Sequence, residues 1–185
     1  MNSLTTDTDV EQVIIPGWLR VVDLLVGALS IAFFVLVGLM PSNVAIIILL
    51  TIALFMVGLA RFARAAAVRA KGTPRRVVNL AAGLLGIGAA SLIIFNISLP
   101  EGYLVIILGI AWMVMGLARI LIGIIEKDVF QWARILQLVI GLATVALTSL
   151  VLVYSATDFS AIAMILLIIV IANGFARTSR AYVGV

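Results

Sequence analysis

The chain has 185 residues and contains neither cysteine nor histidine. Without cysteine there is no disulfide frame and no thiol nucleophile. Without histidine, zinc, haem and triad chemistry lose their usual ligands and bases. Charge is scarce too: 11% of residues are Asp, Glu, Lys or Arg, where an ordinary soluble domain carries about 25%. Apolar residues make up 65% of the chain, and the mean hydropathy is +1.34. Disordered chains are polar and charge-rich, so the composition excludes both a soluble domain and a disordered segment. The class that remains is an integral membrane protein. Its net charge of +4 reads as one basic, membrane-facing side. No nucleic-acid motif accompanies that charge, and no nucleic-acid partner is expected.

A helix needs about 20 apolar residues to cross a bilayer. Six stretches qualify: Trp18–Met40, Asn43–Ala63, Val77–Ile97, Tyr103–Ile125, Phe130–Tyr154 and Phe159–Arg177. They fall into pairs joined by PSN (41–43), SLPEG (98–102) and SATD (155–158), which supply the turn formers Pro, Gly, Ser, Asn and Asp. Loops this short make antiparallel neighbours. The segments between pairs, 65–76 and 126–130, are charged. All twelve Lys and Arg lie at the level of these longer segments, whereas the tight loops carry only Glu101 and Asp158. The positive-inside rule therefore places both termini and both linkers in the cytoplasm, in a multi-pass plasma-membrane topology. Trp18 and Trp132 on the basic side, and Tyr103 and Tyr154 on the other, fit interfacial belts. The N-terminal MNSLTTDTDVEQVIIPG lacks the basic start of a signal peptide, so 1–15 reads as a polar tail and 16–185 as one membrane domain.

The spans repeat. Odd spans begin RVVDLLVG (20–27), RVVNLAAG (76–83) and RILQLVIG (134–141). Even spans end GLAR (58–61), GLAR (116–119) and GFAR (174–177), 58 residues apart. The predicted fold is an all-α membrane bundle of three tandem helical hairpins, about 16–68, 74–126 and 130–182, with a pseudo-threefold repeat. In the fourth span Gly102, Gly109, Gly116 and Gly123 recur every seven residues and, with Gly58 and Gly174, predict close helix packing. GLLGIG (83–88) follows no strand and belongs to the same packing.

This organisation, together with PGWLR (16–20) and the recurrent Gly-x-Ala-Arg, resembles the HdeD-like short-repeat membrane proteins, most closely their archaeal members. The resemblance covers the chain from Pro16 onward. It implies a non-enzymatic protein with a role in membrane integrity or in acid and envelope stress. It brings no catalytic residues. The chain has no histidine switch for acid sensing, and its outward face offers only Glu101 and Asp158.

Two sets of residues stand out. Asp23, Asn79 and Gln137 share one repeat position. Asp23 has a local partner in Arg20, three residues before it. In a threefold bundle the three side chains would instead form a polar ring. Arg61, Arg119 and Arg177 form the second set. Arg61 and Arg177 are expected at the cytoplasmic boundary, snorkelling to headgroups. Apolar ILIGII follows Arg119, which is expected about 9 Å inside its helix end, where it must snorkel, find a carbonyl, Asp23 or Gln137, or hold an anion. Arg64, Arg69, Lys71, Arg75 and Arg76 read as a basic linker facing anionic lipid. No cofactor, metal site or enzyme constellation is expected. The partners expected are anionic lipids, with a second copy or another membrane subunit as the protein contacts. An accessory subunit and a small channel or permease are the alternative functions.

Overall fold

The computed structural model describes residues 16–39, 42–67, 73–125, 131–154 and 159–183. The polar tail, Arg69, Lys71, Lys127 and Asp158 lie outside the described residues. What is described is all-helical: α1 (Gly17–Gly38), α2 (Asn43–Ala67), α3 (Thr73–Phe95), α4 (Glu101–Ile125), α5 (Gln131–Tyr154) and α6 (Phe159–Val183). Each of the six contains a stretch long and apolar enough to cross a membrane.

The helices outlast the apolar runs at the basic end. The segment 65–76 reads as a linker in sequence, yet α2 continues through Ala67 and α3 begins at Thr73. Likewise α6 extends past Arg177 to Val183. Leaving the hydrocarbon does not stop a helix. Ala and Arg are strong helix formers, and the ladder keeps backbone groups paired. Pro74 lies in the first turn of α3, where its missing N–H costs nothing. At the other end the Pro100 carbonyl starts α4 by accepting from the Tyr103 N–H at 3.0 Å.

The even helices form the inside. Half or more of the apolar span is buried in α2, α4 and α6 (50, 56 and 56%), against about a third in α1, α3 and α5 (29, 33 and 33%). The most extensive packing pairs α2 with α3, α4 with α5, and α1 with α6. At each of these seams two glycines cross. A Cβ built on Gly58 would stand 3.0 Å from the Gly83 carbonyl oxygen, and one on Gly83 2.9 Å from that of Gly58. The corresponding distances are 3.1 and 3.0 Å for Gly116 and Gly141, and 2.9 Å both ways for Gly174 and Gly27. Only glycine allows backbones this close.

Gly109 and Gly123 also face α5, against Leu152 and Leu138. Gly102 departs from the seven-residue seam: it is exposed, and a Cβ there would meet open space. It lies about 10 Å further along the axis than Gly109, while Gly109 already faces Leu152, close to the end of α5. The seam runs out with its partner helix.

Between the inner helices, Leu54, Leu108, Trp112, Met115 and Val170 are fully enclosed. Trp112 is the largest of the enclosed side chains and fills the core instead of facing lipid. Ser30, Thr51, Thr144 and Thr148 are buried, and each hydroxyl donates to the carbonyl four residues back at 2.7 Å. They settle their polarity within their own helix.

Candidate functional site

The recurring four residues Gly-[Leu/Phe]-Ala-Arg divide the surface of each inner helix. Gly58, Gly116 and Gly174 make the crossings with the outer helices. The next residue, Leu59, Leu117 or Phe175, is exposed on the lipid-facing side. Ala60, Ala118 and Ala176 are buried, small enough to leave room beneath them. Arg61, Arg119 and Arg177 then turn inward, 5, 4 and 7% exposed. Consecutive residues on a helix are offset by about 100°, so this tetrapeptide sets helix contact, lipid contact, space and charge in order around one turn.

All three arginines are six residues from the last residue of their helix. The expected contrast between Arg119 and the other two therefore disappears, and Arg61 and Arg177 do not snorkel outward. Hydropathy marked where the apolar run ended, but the helix went on. On the odd helices Asp23, Asn79 and Gln137 are each six residues from the first residue, and they are 3, 5 and 2% exposed. Both sets thus lie at one depth. They line a single cavity of about 30 Å³.

Bonds within the cavity tie different helices together. Arg61 Nη1 donates to Asn79 Oδ1 at 3.4 Å, across the α2/α3 seam. Arg177 Nη1 donates to Asp23 Oδ1 at 2.8 Å, across α6/α1. Arg119 and Gln137, the corresponding residues across α4/α5, line the same space. The inner helices are also linked to one another: Arg61 Nη2 donates to the Met115 carbonyl on α4, and Arg177 Nη2 to the Val57 carbonyl on α2, both at 3.2 Å. Each accepting residue directly precedes a motif glycine, and a carbonyl in the helical ladder keeps a second lone pair for such a donor. The Arg177 Nε is buried without a hydrogen-bond partner among the described residues.

Asp23 has tertiary partners that lie beyond the local pairing expected. Arg20 is exposed, and both oxygens of Asp23 accept from distant guanidiniums, Oδ1 from Arg177 and Oδ2 from Arg64. These tertiary bonds form because Asp23 faces the bundle interior.

Arg64 and Arg75, assigned in the sequence to a basic linker, are cavity residues as well. Spacing carried the signal. Arg64 follows Arg61 by three residues and Arg75 precedes Asn79 by four, so each shares a helix face with a ring member. Asn79 Nδ2 donates to the Arg75 carbonyl at 3.2 Å. Arg134 serves elsewhere, its Nε donating to the Gly123 carbonyl in the last turn of α4 at 3.3 Å. At the opposite end of the bundle, Asn43 Nδ2 donates to Glu101 Oε2 at 3.0 Å, in an exposed bond.

No family model matches this chain, and neither a curated protein nor a solved structure matches it.

Proposed function

We propose that this chain is a non-enzymatic, multi-pass membrane protein that receives an anion at the cytoplasmic end of its bundle. The observation carrying the reading is the lining of one cavity: five guanidiniums, from Arg61, Arg64, Arg75, Arg119 and Arg177, around the single carboxylate of Asp23. Intramembrane charge is expensive and usually functional. Guanidiniums are donors only and present a rigid fork suited to oxyanions. The remaining polar groups are the amides of Asn79 and Gln137, which orient a ligand without supplying a nucleophile. The one carboxylate lining the cavity already accepts from two arginines. Charge placement supports the orientation, with the cluster and both termini facing the cytoplasm of a plasma-membrane protein.

On this reading the chain is a triplicated hairpin of HdeD-like type. Its role in membrane integrity or envelope stress would run through anionic lipid or a small anion held at the cluster. Native mass spectrometry after gentle purification from the source membrane tests this. An anionic adduct at one per chain is expected. A chain that carries only zwitterionic lipid, or none, would count against it.

A small channel or permease is the second reading, favoured by the meeting of polar groups from all six helices at one depth. The enclosed Trp112 and its apolar neighbours fill the path beyond the cavity, so flux through liposomes would require the core to rearrange. Flux unchanged by Arg119→Ala and Asp23→Asn would remove this reading. The accessory-subunit reading was motivated by the glycine seams and by the small extramembrane mass of the chain; Gly58, Gly109, Gly116, Gly123 and Gly174 are occupied within the chain, which removes the first of these supports.

A further inference from the structure

The three seams differ in one chemical respect. The chain itself links α2 to α3 and α4 to α5, and their outer-helix polar residues are the neutral Asn79 and Gln137. The α1/α6 seam joins the first helix to the last without a linker, and there the polar residue is the charged Asp23. The ion pair between Asp23 and Arg177 spans 154 residues of sequence. It lies at the basic end of α1, with the Gly27–Gly174 crossing deeper in the bundle. Of the six apolar spans, that of α1 has the smallest buried share, 29%.

The same ion pair stands in the way of a ligand. A cavity of about 30 Å³ holds roughly two waters, at about one probe sphere each. A phosphate group, with four oxygens about a phosphorus, needs more room than that. The carboxylate of Asp23 occupies the positions between Arg64 and Arg177 that an oxyanion would take. A carboxylate offers two oxygens to two guanidiniums. A phosphomonoester offers three terminal oxygens and about −1.5 to −2 charges, which suits a cavity where more than two arginines converge.

We propose that Asp23 is a resident counter-ion that a phosphate group displaces from Arg64 and Arg177, and that this exchange releases the basic end of α1 from α6, with the Gly27–Gly174 crossing as the pivot. The phosphate is that of a phosphomonoester lipid headgroup or of free inorganic phosphate. The inference rests on the anion-receptor reading above and adds the ligand class and a moving element. Repulsion between the incoming phosphate and the displaced carboxylate drives the two helix ends apart. The α2/α3 seam has no such carboxylate and stays closed.

The absence of native cysteine lets a label pair be placed without background. Spin labels at Val21→Cys and Phe175→Cys, both exposed, report on α1/α6. Labels at the corresponding exposed positions, Val77→Cys and Leu59→Cys, report on α3/α2. The full chain is placed in phosphatidylcholine nanodiscs and titrated with inorganic phosphate, with chloride at matched ionic strength as control. A parallel set of nanodiscs contains phosphatidic acid. The expected result is a longer label distance across α1/α6 with phosphate, with phosphatidic acid or with both, and no change across α2/α3. Widening with phosphatidic acid alone identifies a headgroup, and widening with inorganic phosphate alone a free anion. Asp23→Asn, which removes the competitor, is expected to bind phosphate roughly tenfold more tightly, while Asp23→Glu binds as the parent does. Saturable binding without widening of the α1/α6 distance in the parent chain would overturn the displacement and leave the anion reading standing. Binding no tighter in Asp23→Asn would do the same. No binding of inorganic phosphate and no effect of phosphatidic acid would overturn both.

Discussion

The two ends of the bundle use opposite means to hold the same six helices. At the basic end, charged and amide side chains converge in a buried cavity and bond across seams. At the far end, the exposed Asn43–Glu101 bond joins α2 to α4 beside apolar packing. The glycine crossings lie between these ends and are built alike in all three seams. Close packing by small residues is thus common to all three seams. The buried charge at one end is an added cost. Replacing a buried ion pair by apolar residues is often neutral or stabilising, so stability alone does not account for its presence, in keeping with the receptor proposed above.

That contrast can be broken at graded strength. The largest effect is expected from Asp23→Ala. It leaves Arg64 and Arg177 without the carboxylate both donate to, and removing one partner of a buried pair costs about 3–5 kcal/mol. Unfolding in mixed micelles, followed by circular dichroism, measures it. Next comes Gly174→Ala, whose Cβ would press on the Gly27 carbonyl and the Ser30 side chain. Overpacking of this kind costs about 1–3 kcal/mol, read in the same assay. Glu101→Ala, at the far end, removes an exposed hydrogen bond and is expected to cost about 1 kcal/mol or less. Gly102→Ala should cost nothing, since open space surrounds it, and helix propensity favours alanine over glycine by about 0.5–1 kcal/mol. If Gly102→Ala destabilised as much as Gly174→Ala, the distinction between crossing and bystander glycines would fail.

Much of this bundle was legible in the sequence. Hydropathy located the six helices, because a bilayer demands long apolar runs. The 58-residue interval of Gly-x-Ala-Arg picked out the arginines that meet in the cavity, because repeated positions in like-oriented helices come to one depth. The helix ends were not legible. Apolarity stops at Arg61 and Arg177 but helical hydrogen bonding does not, so both were read as boundary residues while their helices run six residues further. The tertiary partners of Asp23 were hidden for a different reason. A sequence offers only neighbours, so Arg20 at three residues was visible, and Arg177 at 154 residues became visible only once α1 packed on α6. Gly102 matched a period whose partner helix had already ended. The outer-helix glycines Gly27, Gly83 and Gly141 were seen as a repeat, but their contact with the inner motif glycines needed the fold.

The central claim is that the buried arginines form a receptor for an oxyanion. Its most direct test is a calorimetric titration of inorganic phosphate into the full chain, in phosphatidylcholine nanodiscs and at constant ionic strength, alongside retention of phosphatidic acid on the purified chain. The account predicts saturable one-to-one binding by at least one of these two, weakened by Arg177→Gln. No saturable phosphate binding and no retained phosphatidic acid, or equal binding by the Arg177→Gln chain, would contradict it.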